Sequence, residues 1–156
     1  PFLMILLFGS AGIFDYVQAK NRTQTAADAI ADLVSRTTEM DDDEFDDVMR
    51  AAKLVLGKYA SQMTVKAAVT AYVFDEDDDE WQVEWTEGYN QSSPHSKGDS
   101  VDADDFPRNH SKDMVILVEL DTSYRNALFY LDKDGVDMSK RTVRLPRYVS
   151  SIEWVD

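Results

Sequence analysis

The chain has 156 residues, and its 30 Asp and Glu against 16 Lys and Arg give a formal net charge of −14. This excess of acid argues against nucleic acid as a partner, and against binding of the globular part to anionic lipid, because both partners are themselves anionic. The chain contains no cysteine, which excludes disulfide scaffolds, thiolate zinc sites and cysteine nucleophiles.

The first element is an uncharged and mostly apolar segment, residues 1–14. As a helix it spans about 21 Å, whereas the hydrocarbon core of a bilayer is about 30 Å thick, so the segment is too short to cross alone. Neither a basic start nor an A-x-A-like end, the marks of a secretory signal, is visible. Two interpretations stay open: the end of a longer apolar helix whose beginning lies outside the sequence, or a helix buried between protein subunits.

The same helix is predicted to continue beyond the apolar segment. From Ala26 to Val34 the apolar residues share one helical face. Small residues from Gly9 to Gly12 would let a neighbouring helix approach closely, with a local kink or local melting of the helix as the alternative. We therefore expect residues 1–38 to form an apolar tip on an amphipathic rod, and residues 39–156 to form an acidic globular head.

A second helix is predicted over residues 41–60. The acidic run 41–44 lies where a helix N-cap and first turn favour negative charge. Apolar residues then follow at helical spacing throughout the segment: Phe45, Val48, Met49, Ala52, Val55, Leu56 and Tyr59.

After residue 62 the pattern becomes that of strands. Residues 63–74 are rich in β-branched and aromatic side chains, and residues 80–87 alternate, with Trp81, Val83 and Trp85 expected on one face. An acidic turn joins these two strands into a predicted hairpin. Residues 88–112 predict a long exposed loop.

The remaining segments complete the predicted sheet. The continuous apolar run 113–121 predicts a central strand, and residues 122–135 predict either a short helix or a strand that reaches a turn. One or two strands close the chain, with Pro146 at an edge, bulge or corner. The fold class is therefore α+β: a long N-terminal helix and a second helix packed on an antiparallel sheet of about four or five strands.

The sequence offers few candidates for chemistry, and no enzymatic activity is predicted. His95 and His110 lie in the polar loop and are expected to be solvated. Asp132, Asp134 and Asp137 resemble half of a calcium loop, but a turn at residues 134–135 explains them as well. The acidic runs are interpreted as solvated surface, so no cofactor is expected, and Ca²⁺ stays a weak alternative.

A basic cluster stands out near the C-terminus of this acidic chain. It contains Lys140, Arg141, Arg144 and Arg147. These side chains are candidates for pairing with carboxylates of a neighbouring subunit, where charge complementarity sets register and partner choice. Pairing within the chain is equally compatible with the sequence.

Two stretches resemble a known family. "PFLMILLFGSAGIFD" followed by "NRTQTAADAIADLVSR", with Ala26, Ala27, Asp28 and Ala29 in an alanine-rich helix, is similar to the N-terminal region of TadE/TadG-like proteins. These are pilin-like components of the tight-adherence (Tad) pilus, a branch of the type IV pilus superfamily. "RTVRLPRYVSSIEW" resembles the C-terminal strands of some members.

The resemblance implies a structural subunit of a bacterial cell envelope. Its helix would lie in the inner membrane before assembly and then pack against other copies or related pilins in an extracellular filament, with the pilus assembly machinery as a further partner. The expected assembly residues are Phe2, Leu3, Ile5, Leu6, Leu7, Phe8, Gly9, Gly12, Ile13, Phe14 and Val17. The alternative function is a membrane-anchored or secreted acidic binding module that holds a ligand such as Ca²⁺.

Overall fold

The computed structural model describes residues 1–91, 93–106, 114–125 and 135–155. In chain order the elements are α1 (Phe2–Val34), β1 (Glu39–Met40), α2 (Asp42–Leu56), a 3₁₀ helix (Gly57–Ser61), β2 (Met63–Asp75), β3 (Glu80–Tyr89), β4 (Ser100–Asp102), a second 3₁₀ helix (Ala103–Asp105), β5 (Met114–Tyr124), β6 (Val136–Arg144) and β7 (Glu153–Trp154). The predicted α+β class is confirmed.

Helix α1 is unbroken over 33 residues, which corresponds to a length of about 50 Å. The prediction that the helix continues beyond the apolar segment is therefore confirmed, and the run from Gly9 to Gly12 is helical rather than melted. The C-terminal part of the helix contributes small and branched side chains to the core: Ala26, Ala27, Ile30, Ala31 and Val34, all fully buried. Because alanine is small, α1 lies close against its neighbours along this face.

Helix α2 begins as the sequence predicts. The Asp41 carboxylate accepts a hydrogen bond from the backbone N–H of Glu44 at 2.7 Å, and the first turn is acidic, which satisfies the helix N-terminus and its dipole. The helix ends at Leu56, four residues earlier than predicted, because Gly57 adopts a φ of +60° and a 3₁₀ turn follows. Its buried face consists of Phe45, Val48, Met49, Ala52 and Leu56.

The five antiparallel strands are arranged in the order β4-β3-β2-β5-β6. Strand β5 lies between β2 and β6, and its continuous apolar run is explained because both of its faces are covered. Strand β6 is at the edge and ends two residues before Pro146, as expected for a proline that cannot donate to a ladder. Strands β1 and β7 form a separate parallel pair.

A β-bulge divides strand β3 between the two faces of the sheet. Ala71 is paired with Trp85 whereas Tyr72 is paired with Val83, so Glu84 is the additional residue. Trp85 therefore packs in the core on the helix side, but Trp81 and Val83 pack on the opposite side. The prediction that these three residues share one face was wrong, because one inserted residue reverses the alternation.

The outer face of the sheet, away from the helices, carries a second apolar core. It contains Tyr72, Phe74, Trp81, Val83, Phe106, Val115 and Leu117. The segment before β5 covers this core: β4 pairs with β3, and the Phe106 ring lies 5.7 Å from the Trp81 ring. Within the predicted exposed loop 88–112, residues 96–100 are exposed, whereas the apolar residue Phe106 turns inward. Residues 92 and 107–112 lie outside the described residues.

His95 belongs to this covering segment and is half-buried rather than solvated. Its Nε2 lies 3.1 Å from a carboxylate oxygen of Glu119, and its ring packs edge-on against Tyr72. The Tyr72 side chain is fully buried, and its hydroxyl has no hydrogen-bond partner among the described residues. This burial raises the pKa of Tyr72 to about 12. His110 lies outside the described residues.

Replacing Phe106 with Ala tests whether the covering segment is part of the folded core. We expect a loss of about 3 kcal/mol in the free energy of unfolding, because a large buried ring is removed. Urea unfolding in non-ionic detergent, followed by tryptophan fluorescence, measures the change. Tyr148→Ala is the control, since Tyr148 is 71% exposed and its loss should cost less than about 0.5 kcal/mol. Equal stabilities of the two variants would contradict this assignment.

Candidate membrane and assembly segment

The N-terminal part of α1 exposes a continuous apolar surface. Among the side chains that the structure describes, nine large apolar ones are exposed there: Phe2, Leu3, Met4, Leu6, Leu7, Phe8, Ile13, Phe14 and Val17. Each gains about 1.5–3 kcal/mol when it is fully removed from water, so together they match or exceed the whole folding free energy of an ordinary domain, about 5–15 kcal/mol. A surface of this size requires a non-aqueous environment or a protein partner.

By length and composition α1 is able to cross a membrane, although its uncharged run ends at Phe14. Only 12% of its most apolar window is buried against the rest of the chain, which distinguishes it from the core helix of a soluble protein. A signal sequence near an N-terminus also meets these criteria of length and composition. The surface alone therefore indicates a hydrocarbon-like environment, not a particular one.

Asp15 marks the point where α1 joins the head. Its carboxylate accepts hydrogen bonds from the hydroxyl groups of Tyr124 and Tyr59, the latter at 2.9 Å, and Lys58 lies at 3.3 Å. Burial, and then the hydrogen bond to this carboxylate, raise the pKa of both phenols, so they stay protonated donors at neutral pH. The acidic group nearest the apolar segment is therefore covered by three donors.

Further polar contacts fasten the following turns of α1 to the sheet and the C-terminal segment. The hydroxyl groups of Thr23 and Thr122 are 3.3 Å apart, and both side chains are buried. Thr142 donates to Asp28 at 3.1 Å, one strand further along the sheet. From Asp15 onward α1 is thus part of the head, and residues 2–14 extend from it.

The predicted inter-subunit cluster has two members that pair within the chain. Arg147 forms a 2.6 Å ion pair with Asp32 of α1. Arg141 lies 4.0 Å from Glu119 and covers the Phe106 ring at 5.9 Å. These contacts have structural roles in the monomer.

Lys140 and Arg144 differ from the other two members of this cluster. Within the part of the chain that the structure describes, neither forms an ion pair, and the Arg144 side chain is exposed on the edge strand β6. Pairing of this cluster with another subunit stays a prediction, and these two side chains are its best-placed members.

The weak calcium candidates are only partly described. Asp132 and Asp134 lie outside the described residues, and Asp137 is exposed on β6. Gly135 has a φ of +84°, and a Cβ there would lie 2.9 Å from the Tyr124 carbonyl oxygen, so this position beside the end of β5 favours glycine. Among the described residues no group of three or more His, Cys, Asp or Glu side chains is placed to hold a metal ion.

A double-mutant cycle measures the link between Asp15 and Tyr124. Asp15→Asn and Tyr124→Phe should show a coupling energy of about 1–3 kcal/mol in urea unfolding, because each removes one partner of a charge-assisted hydrogen bond. The control cycle combines Asp15→Asn with Tyr148→Phe, whose side chain is exposed, and its effects should add within about 0.5 kcal/mol. Additivity in both cycles would show that the observed contact does not hold α1 in place.

Comparisons of the chain with protein-family models, curated proteins and solved structures found no match. The likeness to TadE/TadG-like proteins therefore stays a prediction from the two sequence stretches, and the exposed helix and its junction with the head are the observations on which a function is argued.

Proposed function

We propose that this chain is a structural pilin-like subunit, held in a membrane by residues 2–14 of α1 and assembled with copies of itself or related subunits by packing of these helices. The observation that carries the proposal is the contrast along one helix: the large apolar side chains described in the segment are exposed, while those of Ile30 and Val34 are fully buried in the core. The resemblance of two sequence stretches to TadE/TadG-like proteins supports a bacterial cell envelope as the proposed location.

A helix suits both environments that the proposal requires. Its backbone hydrogen bonds are satisfied internally, so it enters hydrocarbon without unpaired polar groups. Lipid chains and the apolar sides of neighbouring helices cover the same side chains, so transfer from membrane to filament exposes little of them to water. The acidic head, with its excess of carboxylates, stays in water and keeps the assembly soluble.

Small residues in the segment favour close packing between such helices. A Cβ built on Gly9 meets nothing within 4 Å, so the fold of the monomer does not require glycine at this position. Glycine in a helix interior costs about 1 kcal/mol relative to alanine, and a packing role in the assembly would offset this cost.

The first test of the proposal is membrane partitioning of the full chain. Flotation with phospholipid vesicles at increasing lipid concentration should recover the protein with the lipid. Leu7→Lys should lower the partition coefficient by roughly two orders of magnitude, since a charge at the centre of a membrane helix costs about 3 kcal/mol. Val155→Lys introduces the same charge on the head and should leave partitioning unchanged. A wild-type chain that stays in the aqueous fraction would refute the membrane role.

The second test concerns assembly. On slow removal of detergent the wild-type chain should form or join filaments visible by electron microscopy. Gly9→Ile should abolish assembly but not partitioning, because a branched side chain keeps the helices apart. Ala11→Ile adds the same bulk about 200° around the helix and serves as the matched control. If the Gly9→Ile variant assembles as well as the wild type, the proposal that helices pack closely at this face is wrong.

A further inference from the structure

The structure contains a second exposed apolar position next to the proposed membrane segment. Leu54 on α2 is 81% exposed, more than any described large apolar side chain of residues 2–14, of which Leu3 has the highest value, 79%. It lines a groove of about 560 Å³ between α1 and the end of α2, together with Ala11, Phe14, Arg22 and Lys58. We name this feature the basal groove. Its floor continues the apolar surface of the segment into the head.

The basal groove lies close to the level at which the apolar segment ends. Lys58 contacts Asp15, the first residue after the apolar segment. Arg22 of α1 reaches the backbone of Val55, so α2 runs antiparallel to α1, and Leu54 lies within roughly 10 Å of Asp15 along α1, the rise of the seven residues from Asp15 to Arg22. The headgroup layer is about 5–7 Å thick on each side of the hydrocarbon core, and an ordinary helix tilt of about 20° toward α2 would bring Leu54 closer to it.

The charge around this groove is opposite to that of the rest of the chain. Residues 15–22 and 53–58 contain four basic side chains and one acidic side chain, in a molecule with almost twice as many acidic as basic residues. The single acid in these ranges, Asp15, also lines the groove, where it accepts hydrogen bonds from Tyr59 and Tyr124 and pairs with Lys58. Arg22 and Lys58 are exposed at the rim. The α1–α2 side of the membrane-proximal end thus presents cations, whereas the sheet side of the same end carries the exposed Asp137.

We infer that the basal groove is a docking surface for an anionic phospholipid bilayer, with Leu54 inserted among the headgroups and Arg22 and Lys58 at the phosphates. This inference rests on the proposed membrane insertion of residues 2–14. The net charge of the chain argues against binding of the head to anionic lipid. Electrostatic interactions are screened beyond about 8–10 Å, however, so the charges nearest the bilayer decide whether the head is attracted to it. Docking fixes the orientation of the head on the membrane before assembly.

The absence of cysteine allows a clean test with single labels. Leu54→Cys and Asp43→Cys, in the full-length chain, are labelled with an environment-sensitive fluorophore and reconstituted at one copy per lipid nanodisc. Position 43 is exposed on the same helix, about 16 Å further from the segment, and is the matched control. Docking predicts that, on anionic bilayers, a lipid-borne quencher reduces the emission at position 54 several-fold more than at position 43. On zwitterionic bilayers the quenching at position 54 should be weaker.

A charge variant tests the rim. Arg22→Gln should weaken the preference for anionic over zwitterionic lipid about fivefold, because this is the effect of one basic residue near an anionic surface. The preference is measured as the ratio of shielded to exposed label at position 54 on each lipid. Circular dichroism confirms the fold of the variant.

The remaining outcomes separate this inference from the proposed function. A chain that enters nanodiscs but leaves position 54 as exposed to water as position 43 overturns the docking and leaves membrane insertion standing. Shielding that appears only with several copies per disc also overturns it and assigns the groove to a neighbouring subunit. Equal shielding on both lipids overturns the assignment to anionic lipid. A chain that does not insert overturns both proposals.

Discussion

The fixed attachment of α1 to the head is the constraint on which the structure depends. From Asp15 onward, alanines pack the helix against its neighbours, and hydrogen bonds to Tyr124, Thr122 and Thr142 tie successive turns to the sheet. Because the helix is unbroken, the apolar part has no joint about which to fold back onto the head. The side chains of the apolar part therefore stay exposed in the monomer, and lipid or other helices are needed to cover them.

The sheet has a second role, since it carries a core on each face. The helices cover one face, and the segment with His95, β4 and Phe106 covers part of the other. The bulge at Glu84 is what lets one strand supply Trp85 to the first core and Trp81 to the second. Both apolar cores of the head are therefore buried within the monomer, which leaves the apolar segment as the largest exposed apolar surface among the described residues.

Local patterns predicted most of the elements, whereas contacts between distant residues could not be predicted. The cap at Asp41 and the apolar spacing of α2 are short-range signals, as is the apolar run of β5, and all three were confirmed. The bulge could not be predicted from the sequence of β3. Trp81, Val83 and Trp85 alternate with polar residues along the sequence, and this alternation is the same whether Glu84 is paired or bulged. The partners of Asp15 lie 44 and 109 residues away, and no spacing rule connects them. The segment itself was predicted from composition, since a run of thirteen uncharged and mostly apolar residues after Pro1 is recognised without tertiary information.

The parallel pair of β1 and β7 holds residues 147–155 beside the C-terminal end of α1. The backbone N–H of Val155 donates to the carbonyl oxygen of Met40, and that of Arg147 donates to the carbonyl oxygen of Ser35. The Arg147 side chain also forms an ion pair with Asp32. That end lies about 30 Å along the helix from Phe14. A reporter or cargo domain joined after Val155 would therefore leave the molecule at the pole opposite the apolar tip, on the outward surface of any array in which the tips are gathered at the centre.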